Sequence, residues 1–383
     1  MRWLSFIVIF LLGGCELFGG GDDDPIESPA ELTEFDATLT VRELWSIKVG
    51  GGAEALRLGL APATDGARIF AGSHSGQAAA FDSRGGQSYW DVRTDLALAA
   101  GPSYGDGAVV FGTSDGELLA LSAETGEERW VQEIGSEILA PPSIGSGVVV
   151  VRTVDGRLQG FSVIDGRELW SVEQTVPSLT MRGNTAPYVT GSVVVTGFDN
   201  GRLGAYEVFS GDPRWEVAVA TPTGRTELER LVDISAGLQV VGNDVYAVSY
   251  HGRAVGVALE TGLLLWQQEL SSHSGLGADW NSVYVTDEFS EVVALDRNRG
   301  TLRWRQDALR LRDVTAPTPY GNSIVVGDLE GYLHWLNPSD GNLLARVRAA
   351  SQRIAAAPLV VGGNLFIQSD DGTVAAFTVV VDE

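Results

Sequence analysis

The sequence of 383 residues has one cysteine, Cys15, and four histidines. A single cysteine cannot form an internal disulfide, so the fold must rely on packing. None of the histidines has another histidine or a cysteine at the spacing of a zinc site. No nucleophile elbow, phosphate loop or dinucleotide fingerprint occurs between a predicted strand and a helix. The sequence therefore predicts no catalytic residue, no metal ligand and no cofactor.

Long apolar runs are also absent, since the run near the N-terminus, Leu4 to Leu12, is too short to span a bilayer. It follows Arg2 and precedes small residues, which is typical of a secretory signal. The residues from Leu12 to Cys15 resemble the bacterial lipobox, and this resemblance implies cleavage before Cys15 and lipidation of that cysteine. We predict a lipoprotein signal peptide at residues 1–14. A buried thiol near an irregular start is the alternative.

The residues after Cys15 are poor in apolar side chains. Between Glu16 and Phe35 they include glycines, prolines and three consecutive aspartates, a composition that predicts a flexible tether. We assign the lipidated cysteine and a flexible acidic tether to residues 15–37 and a folded domain to residues 38–383.

Positive charge is scarce, with 26 lysines and arginines against 50 aspartates and glutamates and a net charge of −24. Such a surface repels nucleic acids and anionic lipid head groups. We therefore predict no nucleic-acid partner. The acidic excess favours solubility or attraction to a basic patch on a protein partner, and a merely solvated surface is the alternative.

What the sequence does contain is a unit repeated eight times, with a first turn, an apolar strand position, a second turn and a tryptophan. The first turns lie at Gly76, Gly116, Gly156, Gly201, Gly252, Ser290, Gly331 and Gly372. The tryptophans follow the second turns at Trp90, Trp130, Trp170, Trp215, Trp266 and Trp304, with Ala345 in the seventh unit. A period near 40 residues with several short strands indicates a β-propeller.

The eighth unit ends soon after Phe377 without a tryptophan strand of its own, whereas Thr38 to Val49 carries Trp45 in the same strand context. We therefore predict an all-β, eight-bladed β-propeller of four-stranded antiparallel blades, closed by the N-terminal strand joining the last blade. Each tryptophan should pack between neighbouring blades and donate its indole N–H to a turn. Closure should also leave few exposed sheet edges.

Two irregular segments interrupt the repeat, at Pro177 to Pro187 and at Thr221 to Ser235. Extra residues in a repeat array often form loops on the binding face. Both segments precede inner strands of adjacent blades, so we expect them on one face and close together. In the first segment Leu179 and Met181 alternate with polar residues and Arg182 follows, the composition of a binding hot spot. A strand with alternate residues facing the core is the other interpretation.

The repeat resembles the tryptophan-docking repeat of pyrroloquinoline-quinone dehydrogenases, which are also eight-bladed. That resemblance implies an enzyme with long loops over the cofactor, carboxylate and amide ligands for calcium and, typically, a vicinal disulfide. The blades of this chain are short and Cys15 is alone, which argues against the quinoprotein interpretation.

More specific stretches, "LTMRGNTAP", "GRTELERLVD" and "GDLEGYLHWLN", resemble the BamB family, propeller lipoproteins of the outer-membrane β-barrel assembly machinery. The resemblance extends over essentially the whole chain after the signal. It implies a non-enzymatic scaffold that binds the POTRA domains of BamA and other subunits of the machinery. It also implies a lipid anchor in the outer membrane, on the periplasmic face.

The same resemblance assigns partner binding to Leu179, Met181, Arg182 and Asp233. Met181 replaces a more frequent leucine, and Ser235 replaces an aspartate of the family pattern. As a mechanism, the apolar pair would dock on the partner, while Arg182 and Asp233 would set the register by charge-assisted contacts. Capture of unfolded outer-membrane proteins by edge pairing is a second possible role, against which ring closure argues. A propeller lipoprotein with an unknown periplasmic partner is a third alternative.

Overall fold

The computed structural model describes residues 27–51, 53, 56, 58–182, 185–234 and 236–380. The regular elements in these residues are β-strands, which form eight small sheets around a central cavity. The predicted eight-bladed β-propeller is therefore confirmed. The predicted signal peptide, Cys15 and the first part of the tether lie outside the described residues.

Each blade has four antiparallel strands, which are numbered along the chain and follow one another from the centre of the ring outward. The first four blades consist of β3 (Ala63–Thr64), β4 (Arg68–Gly72), β5 (Gln77–Asp82) and β6 (Ser88–Arg93); β7 (Leu98–Gly105), β8 (Ala108–Thr113), β9 (Glu117–Ser122) and β10 (Glu128–Glu133); β11 (Ser143–Gly145), β12 (Val148–Arg152), β13 (Arg157–Ser162) and β14 (Glu168–Glu173); and β15 (Tyr188–Thr190), β16 (Val193–Gly197), β17 (Arg202–Glu207) and β18 (Pro213–Ala218).

The last four blades consist of β19 (Gln239–Val241), β20 (Asp244–Val248), β21 (Arg253–Ala258) and β22 (Leu264–Glu269); β23 (Gly275–Ala278), β24 (Ser282–Thr286), β25 (Val292–Asp296) and β26 (Leu302–Gln306); β27 (Thr318–Tyr320), β28 (Ser323–Gly327), β29 (Tyr332–Leu336) and β30 (Leu343–Arg348); and β31 (Leu359–Val361), β32 (Asn364–Gln368), β33 (Thr373–Val380) and, as the outer strand of the eighth blade, β1 (Thr40–Lys48). A short strand, β2 (Gly59–Leu60), pairs in parallel with β7.

The outer-strand tryptophans connect neighbouring blades as predicted. The indole N–H of Trp90, for example, donates to the carbonyl of Ala123 in the second turn of the next blade at 3.0 Å. Glycine is required in that turn, because Gly126 has φ +73° and a Cβ there would lie 2.7 Å from the Trp90 ring. Six other tryptophans make the equivalent bond, namely Trp45, Trp130, Trp170, Trp215, Trp266 and Trp304.

The alanine in the seventh unit has a structural explanation. Outer-strand tryptophans lie opposite a small residue of the third strand, as Trp304 lies opposite Ala294. In the seventh blade the two are exchanged, since Ala345 lies opposite a fully buried Trp335. An outer tryptophan would find no second turn in the eighth blade, because the third and fourth strands of that blade come from opposite ends of the chain.

The N-terminal strand closes the ring. β1 pairs with β33 along its whole length, from Thr40 opposite Val380 to Lys48 opposite Thr373. Trp45 on β1 is 9% exposed, and its ring centroid lies 5.8 Å from that of Phe366. The predicted closure is confirmed.

The expectation that closure leaves few sheet edges is wrong. Among the described residues, the outer strand of each blade pairs with another named strand on its inner side only. Closure completes the eighth sheet but does not pair one blade's outer strand with the next blade. At β30 the carbonyl of Leu344 accepts N–H bonds from Thr38 and Leu39, which covers part of that edge.

Residues 27–37, which the sequence assigns to the flexible tether, contact the propeller. Arg310 holds the Glu27 carboxylate through two bonds of 3.1 and 3.0 Å. The nearly buried Arg312, which is itself paired with Asp328, donates to the carbonyl of Ala30 at 2.9 Å. Leu32 also packs against the core between blades six and seven. Composition predicted flexibility for this stretch because the arginines that bind it lie almost 300 residues away in sequence.

Candidate functional site

The two irregular segments lie side by side on one face of the propeller, as predicted. They connect the outer strand of one blade to the inner strand of the next, before blades four and five. The Ser178 hydroxyl donates to the Glu227 carboxylate at 2.9 Å, and the Met181 N–H donates to Asp233 Oδ2 at 3.2 Å. The two loops therefore form one surface.

Leu179 and Met181 lie outside regular strands, and each is 40% exposed. The alternative interpretation, a strand whose alternate residues face the core, is therefore wrong. An exposed apolar pair on a polar face is a surface that gains free energy when a partner covers it.

A third apolar side chain of this surface, Leu228, is absent from the sequence prediction. It is 64% exposed on a turn of the second loop. The Thr226 hydroxyl accepts the N–H of Glu229 at 3.2 Å, and the Glu229 carboxylate accepts the N–H of Thr226 at 3.2 Å. This reciprocal pair is a capping box. The three-residue spacing of Thr226 and Glu229 in the sequence could therefore have predicted the turn that exposes Leu228.

Arg182 is also at the surface, with 60% of its side chain exposed. Its guanidinium is paired with Glu137, in the loop before the third blade. Its backbone has φ +55°, a left-handed conformation that is unusual for a residue other than glycine. We refer to Leu179, Met181, Arg182 and Leu228 as the two-loop surface.

Asp233 is not on that surface, which corrects the predicted direct contact with a partner. It is fully buried and forms an isolated antiparallel bridge with Tyr250 of the fifth blade. Its carboxyl accepts the Met181 N–H from inside. The sequence pattern could not predict burial, because the groups that cover Asp233 come from other blades. Ser235 lies outside the described residues.

Asp233 belongs to a buried cluster with Asp199 and Arg152, which are 3% and 2% exposed. Arg152 is paired with Asp199, and its guanidinium lies 5.8 Å from the Phe198 ring centroid. Burial and then the negative charge of Asp199 raise the pKa of Asp233 to about 8, although Arg152 and the Met181 N–H act in the opposite direction. At neutral pH Asp233 is therefore mostly protonated in the folded protein.

A central cavity of about 520 Å³ is the other candidate site. Small residues such as Ala61 and Ala186 line it, together with His273 and Arg353. The one carboxylate among the described lining residues, Asp313, is paired with Arg353 at 2.9 Å. The lining therefore offers calcium one carboxylate, which is already paired, whereas calcium sites usually include several carboxylate oxygens.

The described part of the chain contains neither a metal-binding cluster nor a membrane-spanning helix. No group of three or more His, Cys, Asp or Glu side chains there is arranged to hold a metal ion. The same residues include no helix with the length and apolar character needed to cross a membrane.

Known proteins are similar to this chain over nearly its whole length. A family model described as "Outer membrane protein assembly factor BamB" matches residues 75–306 and 288–380. A curated protein of that name from Pseudomonas aeruginosa is 43% identical over 351 residues, which are 92% of each chain. The crystal structure of BamB from Moraxella catarrhalis has a TM-score of 0.81 and 30% identity, and the match covers 88% of this chain and 100% of that chain.

A more distant likeness extends to enzymes. A quinohemoprotein alcohol dehydrogenase from Pseudomonas putida matches with a TM-score of 0.70 and 14% identity, over 88% of this chain and 76% of that chain. At that identity the match describes the propeller fold alone.

Proposed function

The chain belongs to the family of the outer membrane protein assembly factor BamB, and from this membership we propose that it is a non-enzymatic scaffold binding the POTRA domains of BamA. The observation that carries the proposal is the two-loop surface. Its three half-exposed or exposed leucine and methionine side chains lie beside an arginine on a rigid ring. In protein interfaces a few residues supply most of the binding energy, and arginine is enriched among them.

Binding proceeds by burial of Leu179, Met181 and Leu228 against an apolar patch of the partner. Arg182 then exchanges its pairing with Glu137 for a carboxylate of the partner, which sets the orientation. Asp233 contributes from the interior, by holding the Met181 backbone. The propeller changes little on binding, because its loops are held to each other and to three blades.

We further propose that Cys15 carries the lipid anchor after removal of residues 1–14 and that the protein lies on the periplasmic face of the outer membrane, with other subunits of the assembly machinery. The lipobox-like sequence from Leu12 to Cys15 supports this placement.

Capture of unfolded outer-membrane proteins is a second candidate function. The outer strands of the blades have unpaired edges in the described residues, so the geometric argument against strand addition no longer holds. Most exposed side chains of these strands are polar, with apolar exceptions such as Leu169, Leu264 and Leu302. A captured strand would therefore be held mainly by backbone hydrogen bonds.

The test of the main proposal is direct binding. The chain from Glu16 onward, which lacks the cysteine, is mixed with the purified periplasmic region of BamA and passed over a sizing column, and the affinity is measured by calorimetry. We expect one complex with a dissociation constant in the micromolar range or tighter. If neither method detects binding of the wild-type chain, the scaffold proposal is rejected.

A further inference from the structure

Two buried residues that the family resemblance does not assign, Arg152 and Asp199, meet Asp233 directly beneath the two-loop surface. Arg152 ends β12 in the third blade, and Asp199 follows β16 in the fourth. Asp233 precedes the fifth blade, and its carbonyl accepts the Tyr250 N–H at 2.8 Å. The cluster therefore brings together residues of the third and fourth blades and of the loop before the fifth.

The charges of this cluster balance only with a proton. With both carboxyls ionised, one guanidinium would face two negative charges in a site shielded from water. A proton on Asp233 leaves one ion pair, Arg152 with Asp199, and makes Asp233 a neutral carboxyl beside it. The other oxygen, Oδ2, remains free to accept the Met181 N–H.

The same contact determines how the binding side chains are presented. Met181 is held by its backbone, while its side chain and that of Leu179 are partly exposed. The next residue, Arg182, takes its left-handed conformation directly after this bond. If Asp233 moved, the exposed loop would lose its contact with the buried cluster.

We propose that Arg152 and Asp199 are positioning residues for partner binding, which hold Asp233 in place so that it fixes the two-loop surface. This inference rests on the proposed function. Neither residue touches the partner, and each acts through the Met181 backbone.

The pH dependence follows from the proton. The pKa of Asp233 is raised to about 8 in the folded protein, so the stability that its proton contributes is fully present below the ordinary aspartate pKa of about 3.9 and is lost as the pH rises through about 8. The charged or titratable groups against Asp233 are Asp199 and Arg152, with Tyr250 on the bridged segment. Burial and then Glu288 raise the pKa of Tyr250 above its ordinary value near 10, so Tyr250 stays neutral in this range.

The first experiment needs no partner. Hydrogen–deuterium exchange at the Met181 amide is compared in the wild type, Arg152→Met, Asp233→Ala and Asp233→Asn, with the amides of β29 as an internal control. We expect exchange at least ten times faster in Arg152→Met and Asp233→Ala. Asp233→Asn should restore protection, because its amide oxygen accepts from Met181 and the side chain adds no second negative charge to the cluster. Equal exchange in all four proteins, with β29 unchanged, would overturn the proposal.

The second experiment measures the affinity for the BamA periplasmic region between pH 7 and pH 9. Wild-type affinity should fall at least five-fold over this range, and Asp233→Asn should bind at least three times more tightly than the wild type at pH 9. Parallel pH profiles would refute the role of the proton. If the wild type does not bind at any pH, the proposed function fails, while the exchange rates still decide whether the cluster holds the loop.

Discussion

The double substitution Leu179→Ala/Arg182→Glu should lower the affinity for the BamA periplasmic region by at least about 100-fold, or about 2.7 kcal/mol. Alanine removes an apolar anchor that is 40% exposed and available to a partner. Glutamate reverses a charge and places it beside Glu137, the carboxylate that Arg182 pairs with in the free protein. Loss of a central anchor and of a charge-assisted contact each has effects of this order in other interfaces. Calorimetry and thermal melting are measured on the same samples.

The matched control for this pair is Ile164→Ala/Arg167→Glu. These residues lie in the turn at the other end of β14, and Ile164 is 82% exposed. The control therefore changes one apolar and one cationic side chain of the same blade on the opposite face. It should leave the affinity within about two-fold of the wild type. If both double variants bind equally well and melt normally, the two-loop surface is not the interface.

The second large effect is on stability. Trp45→Ala should lower the free energy of unfolding by about 3–5 kcal/mol, because its indole packs on Phe366 and Phe81 between the last and first blades. Trp90→Ala is the control, since Trp90 makes the same contact between two blades built from consecutive strands. We expect denaturant unfolding to show similar losses of unfolding free energy for Trp45→Ala and Trp90→Ala.

Deletion of Thr38 to Val49 should cost more than Trp45→Ala, because it also removes the whole pairing of β1 with β33 and exposes that edge. A melting temperature unchanged by the deletion would contradict the closure. The closure would also be contradicted if Trp90→Ala lowered the free energy of unfolding and Trp45→Ala did not.

Local repetition made the blades predictable from the sequence. Each blade is built from neighbouring residues, and the turn glycine and the tryptophan are at fixed spacing, so the eight units and their closure followed from the pattern. Even at Ala345, where the repeat lacks its tryptophan, the strand pair contains one. Trp335 on the neighbouring strand lies opposite Ala345 and replaces the missing volume.

Contacts between distant segments were not predictable in this way. The burial of Asp233 depends on Arg152 and Asp199, which no spacing connects to it. The placement of residues 27–37 depends on Arg310 and Arg312, near the other end of the chain. The prediction of few exposed sheet edges failed for a different reason. Ring closure was assumed to pair the outer strands of neighbouring blades, whereas these strands have a partner strand on their inner side only.

Site-specific photo-crosslinking tests the central claim most directly. A photoreactive amino acid is placed at Met181 and Leu228 on the two-loop surface, and at Ile164 and Phe209, which are 82% and 60% exposed on the opposite face. Each protein is irradiated with the BamA periplasmic region. We predict crosslinked products from Met181 and Leu228 and none from Ile164 and Phe209. Products from the opposite face alone would contradict the assignment of the partner to these two loops.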